Sequence, residues 1–165
     1  MPRIRPGFSL IELLIVLIVV IVLTVEGVPN FIAMMQRYRL TTNTQMLYYN
    51  LQLARSEAIK RNQSVYVTFQ TGSSWCYGIN NGSACSCATP SGCALGTYTS
   101  PNQLTSLSLT SITNLIFEPT RGGSNAAGFV ILTVTGGTNS MGVKIGIPGN
   151  ITLCSDSFSG YSTCT

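Results

Sequence analysis

From Phe8 to Val25 every residue is apolar except Ser9, Glu12 and Thr24. At about 1.5 Å per residue this run makes about 27 Å of helix, close to the hydrocarbon thickness of a bilayer. Glu26-Gly27-Val28-Pro29 follows. Pro29 has no N–H to donate and Gly27 weakens the helix beside it, so a kink or a locally unwound segment is expected there. Residues 30–62 read as a continuing amphipathic helix. Leu40, Thr44, Leu47, Leu51, Ala54 and Ala58 recur at spacings of three and four and make one face, with Phe31, Met35 and Tyr38 as a related stripe higher up. Arg37, Arg39, Arg55, Lys60 and Arg61 fall mostly elsewhere, Glu57 precedes Arg61 by four residues in the favourable order for an ion pair, and Asn62 is the expected stop. Fully helical, residues 8–61 would measure about 80 Å.

Beyond Asn62 the period falls to two. Val65, Val67 and Phe69 alternate with Tyr66 and Thr68; Trp75, Tyr77 and Ile79 repeat the pattern, and Asn81-Gly82 marks a turn. Further strands are expected at residues 104–109, 115–118, 129–134, 141–147 and 151–154, separated by Gly- and Ser-rich breaks. No second amphipathic helix is visible. The fold class is α+β: a long N-terminal helix, its first half transmembrane, and a β-rich remainder of sandwiched or rolled sheets.

Charge changes this picture at the N-terminus. Arg3 and Arg5 precede the apolar run without an acid, which keeps that end in the cytoplasm and places the rest across the membrane. Glu12 is the anomaly, because a carboxylate inside a span costs a few kcal/mol (about 3 on insertion scales) and marks a functional position. The small residue Gly7 stands before the apolar run, not after it, so cleavage there leaves the span attached and creates an amine at Phe8. A charge in an apolar assembly is tolerable when paired. An amine at Phe8 and a carboxylate at Glu12 share a helical face and can meet on staggered neighbours. The chain carries a net charge of +4, which drops to +2 without the two leader arginines, no strong footprint for nucleic acid.

These residues resemble the type III signal of type IV prepilins and type II secretion pseudopilins over residues 3–29. The resemblance implies that a membrane prepilin peptidase cuts after Gly7 and methylates Phe8. It also implies that Glu12 pairs with the Phe8 amine of a neighbour and that the helix around Pro29 melts in the filament. The string from Leu51 to Asn62, followed by Gln63-Ser64-Val65, resembles the FimT/GspH-type pseudopilins, which include FimU-like minor pilins. That family implies a β-sandwich-like domain grasping the second half of the helix. The expected organisation is a leader at 1–7, a transmembrane and assembly segment at 8–29, its amphipathic continuation at 30–62 and a disulfide-bearing head at 63–165.

All six cysteines lie in the exported part, where disulfides persist. Cys76, Cys85, Cys87 and Cys93 crowd one loop. Their spacing is not that of a zinc site and the chain has no His, so disulfides are expected. Cys85 and Cys87 are too close in sequence to pair with each other, which leaves two connectivities open. Cys154 and Cys164 close a C-terminal loop. Phe117 to Gly123 lacks the ending of a phosphate loop and reads as a strand end and turn. No catalytic set, metal site or cofactor site is apparent, and the chain does not read as an enzyme.

The function expected from these features is that of a minor pilin, which initiates or caps a type IV pilus. Its partners would be other major and minor pilins, prepilin peptidase and the bacterial inner membrane, with the head in the periplasm and then in the extracellular pilus. A type II secretion pseudopilin is the alternative. A pilus-tip DNA receptor is a third and less favoured reading: Lys60, Arg61, Arg121 and Lys144 are the cations it would use, with Trp75 or Tyr77 stacking on bases.

Overall fold

The computed structural model describes residues 9–89, 92–100, 105–112 and 114–164. Arg3, Arg5, Gly7, Phe8 and Leu104 lie outside the described residues. The chain divides into two compact units, the first ending at Gln36 and the second beginning at Arg37.

One helix, α1, spans Leu10–Arg61 with Pro29 inside it. It is helical through Gly27 and Pro29, so the unwound segment expected there does not occur. Pro29 still removes the bond its N–H would give to the Val25 carbonyl. One residue further along, the Asn30 side chain donates to the Glu26 carbonyl at 2.8 Å. The helix stops at Asn62, whose φ of 49° is left-handed. The Asn62 N–H reaches the Ile59 carbonyl and the Gln63 N–H reaches the Ala58 carbonyl, both at 3.2 Å. This pair of bonds is a Schellman closure, with Asn where Gly is commonest.

In the second unit the buried residues of α1 are Leu40, Thr44, Leu47, Leu51, Ala54 and Ala58, the face its periodicity predicts. The apolar members pack into one cluster with residues of two antiparallel sheets. The first sheet holds β1 (Val65–Gln70), β2 (Cys76–Asn81), β3 (Gly96–Thr99) and β5 (Leu115–Phe117), in the order β3-β2-β1-β5. The second holds β4 (Thr105–Thr110), β6 (Gly128–Val134), β7 (Ser140–Ile145) and β8 (Ile151–Cys154), in the order β4-β6-β7-β8. Alternation is clearest in β6, where Gly128, Val130, Leu132 and Val134 are buried and the residues between them are not. β3, with its Gly-Thr-Tyr-Thr sequence, has no apolar alternation to announce it. β7 is shorter than its apolar pattern suggests, because Gly146 and Ile147 belong to a turn.

The sheets are tied at Trp75, whose indole N–H lies 3.0 Å from the Thr105 carbonyl and 3.1 Å from its hydroxyl. Tyr77 stacks between Trp75 and Tyr98. Its hydroxyl accepts a 2.8 Å bond from Asn50 of the helix, and burial pushes it well above the usual phenol range.

Candidate assembly helix and head surface

The apolar residues of α1 from Leu10 to Val28 leave half or more of their surface exposed. This part of the helix is long and apolar enough to cross a membrane. Glu12 sits in its first turn, where the Ser9 carbonyl accepts the N–H groups of Glu12 and Leu13 at 3.0 and 3.2 Å. A carboxylate is favourable at that end of the helix dipole. Among the described residues no cation pairs with Glu12; the two ion pairs both belong to Glu57.

The cysteines resolve the two open connectivities. Cys76 bonds Cys87 and Cys85 bonds Cys93, while Cys154 bonds Cys164. In β2, Tyr77 and Ile79 face the core, so Cys76, Gly78 and Asn80 face outward and the cysteine loop is strapped across them. A Cβ on Gly78 would overlap the Cys93 sulfur and lie 2.9 Å from that of Cys85, so only glycine lets the strap lie this close. The strap is also held by Thr68, whose hydroxyl donates to the Cys85 carbonyl at 2.6 Å, and by Asn80, which accepts from the Ala94 N–H at 3.0 Å.

The C-terminal loop is equally ordered. Ser155 is buried; its hydroxyl donates to the Ser140 carbonyl at 2.8 Å and accepts the N–H groups of Ser157 and Phe158, both at 3.1 Å. Asp156 accepts from the Cys164 N–H at 3.0 Å. A staple and a polar hub together present one fixed surface.

The four cations considered for DNA are placed on three elements: α1, β7 and the turn after β5. Lys60 and Arg61 both pair with Glu57 in the last turn of α1. The Arg61 hydrogen bond, with the charges of Lys60 and Arg61, holds the Glu57 carboxyl below the usual range. That stabilisation is in place above the ordinary value of 4.5 and is lost as the pH falls through the lowered one. Lys144 lies on β7 over the Phe129 ring, 5.3 Å from its centre, and Arg121 stands in the turn after β5. Trp75 and Tyr77 cannot stack on bases as expected, because they are 4% and 1% exposed and serve the core.

Arg55 has a role its sequence position hid. Its Nε donates to the Gly122 carbonyl at 3.0 Å, and its guanidinium also reaches the Pro148 carbonyl at 3.5 Å. It thus joins α1 to two turns that lie far away in sequence, and no local pattern points to them. Arg55→Met is expected to lower stability by about 1–3 kcal/mol, since a carbonyl loses a charged donor. Thermal unfolding in detergent checks this; an unchanged midpoint would show that the two bonds carry no net weight.

The model of a family described as type II transport protein GspH matches residues 43–164. No curated protein and no solved structure matches the chain.

Proposed function

The chain belongs to the GspH family of pseudopilins, structural subunits of type II secretion systems or type IV pili, and from that membership we propose that it is a minor pilin that helps initiate or cap a type IV pilus. The observation that carries this reading is the unburied apolar stretch of α1, attached to a head with its own closed core. A head of this kind has no use for such a helix unless lipid or other helices cover it. In the proposed sequence of events, prepilin peptidase cuts after Gly7 and methylates Phe8 in the inner membrane. Helices then dock laterally, with Glu12 matched to the Phe8 amine of a neighbour, and Pro29 gives the helix a weak point during extrusion. The head, first in the periplasm and then on the filament, selects which pilins fit. Three disulfides, one of which staples the tail, support a filament exposed outside the cell.

A type II secretion pseudopilin is the second reading, and the description of the matching family favours it. DNA reception is disfavoured by the pairing of Lys60 and Arg61 with Glu57 and by the burial of Trp75 and Tyr77.

Two measurements on protein recovered from membranes and sheared filaments test the proposal. Intact mass is expected to place the N-terminus at Phe8 with one added methyl group. Co-purification is expected to recover type IV pilins. A mature chain beginning after the apolar run sinks the anchor, and recovery with secretion pseudopilins alone assigns the chain to the second reading.

A further inference from the structure

The two sheets have four edge strands, β3 and β5 on the first and β4 and β8 on the second. An open edge is a row of backbone donors and acceptors ready to pair with another chain, and folded proteins close it by some device. This chain closes three of the four itself. Leu107 of β4 exchanges two 3.0 Å bonds with Gly72. In β5 the Ile116 N–H donates to the Asn125 side chain at 2.7 Å, and the Ile116 carbonyl accepts the Asn125 N–H at 3.1 Å. β8 is bridged by the tail, where the Ser155 N–H meets the Ser162 carbonyl at 2.8 Å.

β3 is the exception. Just beyond it the Ser100 N–H donates to the Trp75 carbonyl at 2.9 Å. In an antiparallel ladder only every second residue bonds the strand it faces. Tyr98, opposite Tyr77, therefore turns its N–H and carbonyl to β2, while Thr97 and Thr99 turn theirs away. Among the described residues nothing bonds that outer row. β3 also carries no charge and no proline, either of which would discourage pairing.

The open edge adjoins a cavity with an unmet polar group. The cavity, of about 260 Å³, lies at the end of β3 and is lined in part by Gln70, Trp75, Cys76, Cys87, Thr99 and Ser100. The Ser100 hydroxyl is buried and has no partner among the described residues. Leaving a buried hydroxyl unpaired is unfavourable, so an incoming group that bonds it is favoured. No ionisable side chain lines the cavity, so the group that matches it is uncharged.

We propose that β3 takes an extended, uncharged segment of another pilin as a fifth strand of the first sheet, with one side chain of that segment entering the cavity beside Ser100. The proposal rests on the assembly reading above and names a contact through which the head selects its neighbour. Backbone groups of Thr97 and Thr99 supply the pairing, and the cavity supplies the selection. The partner is a different chain, because pairing β3 with β3 of a second copy is two-fold and consumes both open edges in a closed dimer. With its far edge closed at β5, the sheet accepts one strand and passes none on, which suits a subunit that starts or ends a filament. So short a strand offers few bonds, and the contact forms between chains already gathered by their membrane helices.

Hydrogen exchange on the full chain, alone in detergent and then in sheared filaments, reads the edge directly. Alone, the Thr97 and Thr99 amides are expected to exchange at nearly unprotected rates while those of Tyr98 and Ser100 are held. In filaments both are expected to slow at least a hundredfold. Thr99 is exposed and the fold does not use its N–H, so Thr99→Pro is expected to keep the Tm of the head. It is expected to lower recovery in sheared filaments at least tenfold, while Thr99→Val, which keeps the N–H, is recovered like the unaltered chain. If Thr99→Pro does lower the Tm, exchange in filaments alone decides. Slow exchange at both amides in the dilute chain shows an edge already covered and overturns the proposal. Slowing that appears only on concentrating the isolated chain makes a second copy the occupant and overturns it as well. Fast exchange at both amides in filaments that contain the chain, or equal recovery of two stable variants, overturns the edge contact and leaves the assembly reading standing. A chain that joins no filament overturns the assembly reading with it.

Discussion

Replacing Glu12 with valine is expected to cut the amount of chain recovered in sheared filaments on the order of a hundredfold, while export and cleavage continue. The substitution suits the apolar helix and removes a charge that lipid disfavours, so insertion is not impaired. Under the proposed pairing, it leaves the Phe8 amine of a neighbour without its partner in an apolar surround. An orphaned buried charge costs about 3–5 kcal/mol, which is a hundredfold or more in an equilibrium. Glu12 faces outward and has no partner cation among the described residues, as a residue kept for another subunit should be. Quantitative immunoblots of sheared filaments against membranes measure the ratio. Equal incorporation of the Glu12→Val chain and the unaltered chain would show that the carboxylate does not guide docking.

Gly149→Ala is the head substitution expected to cost most. Gly149 has a φ of 78°, and a Cβ there would overlap the Gly122 carbonyl oxygen and lie 3.0 Å from the Arg55 Nε. Backbone blocks the new methyl group, and the carbonyl in the way is the one Arg55 uses. Left-handed strain of about 1–3 kcal/mol then adds to the loss of that bond, for a total of about 3 kcal/mol or more. A fall of roughly 10 °C in Tm follows for a domain of this size. Gly160→Ala is the control: its φ is also positive, at 93°, but nothing lies within 4 Å of its Cβ. If the two variants melt together, the crowding at Gly149 is unimportant and only backbone strain remains.

The long helix was legible in the sequence because its signals are local. Six residues at helical spacing define the buried face, and Asn62 stops the helix where it was expected to. Most strands were legible for the same reason, since burial on one side leaves a period of two. β3 was not, because Gly96 and Thr97 carry no apolar signal and its place comes from pairing with β2. The continuity of the helix through Pro29 overrode a local weakness, with the rest of a 52-residue helix to sustain it. Arg55 read as a solvent-facing charge, because the carbonyls it meets are 67 and 93 residues away. The pairing of Cys76 with Cys87 and Cys85 with Cys93 was likewise a matter of how the loop crosses β2, which spacing alone left open.

The exposed length of α1 also bears on how an assembly can come apart. Fully burying one valine, leucine or isoleucine is worth about 1.5–3 kcal/mol, and Leu10 to Val28 includes more than a dozen of them. Moving such a helix into water therefore costs tens of kcal/mol, beyond any thermal fluctuation. Escape of a single subunit into the medium is closed as a route. Exchange can run only sideways, from helix bundle to lipid and back, so the membrane acts as the sole reservoir from which subunits are drawn and to which they return. A filament cut off from that reservoir can fragment, but it cannot dissolve.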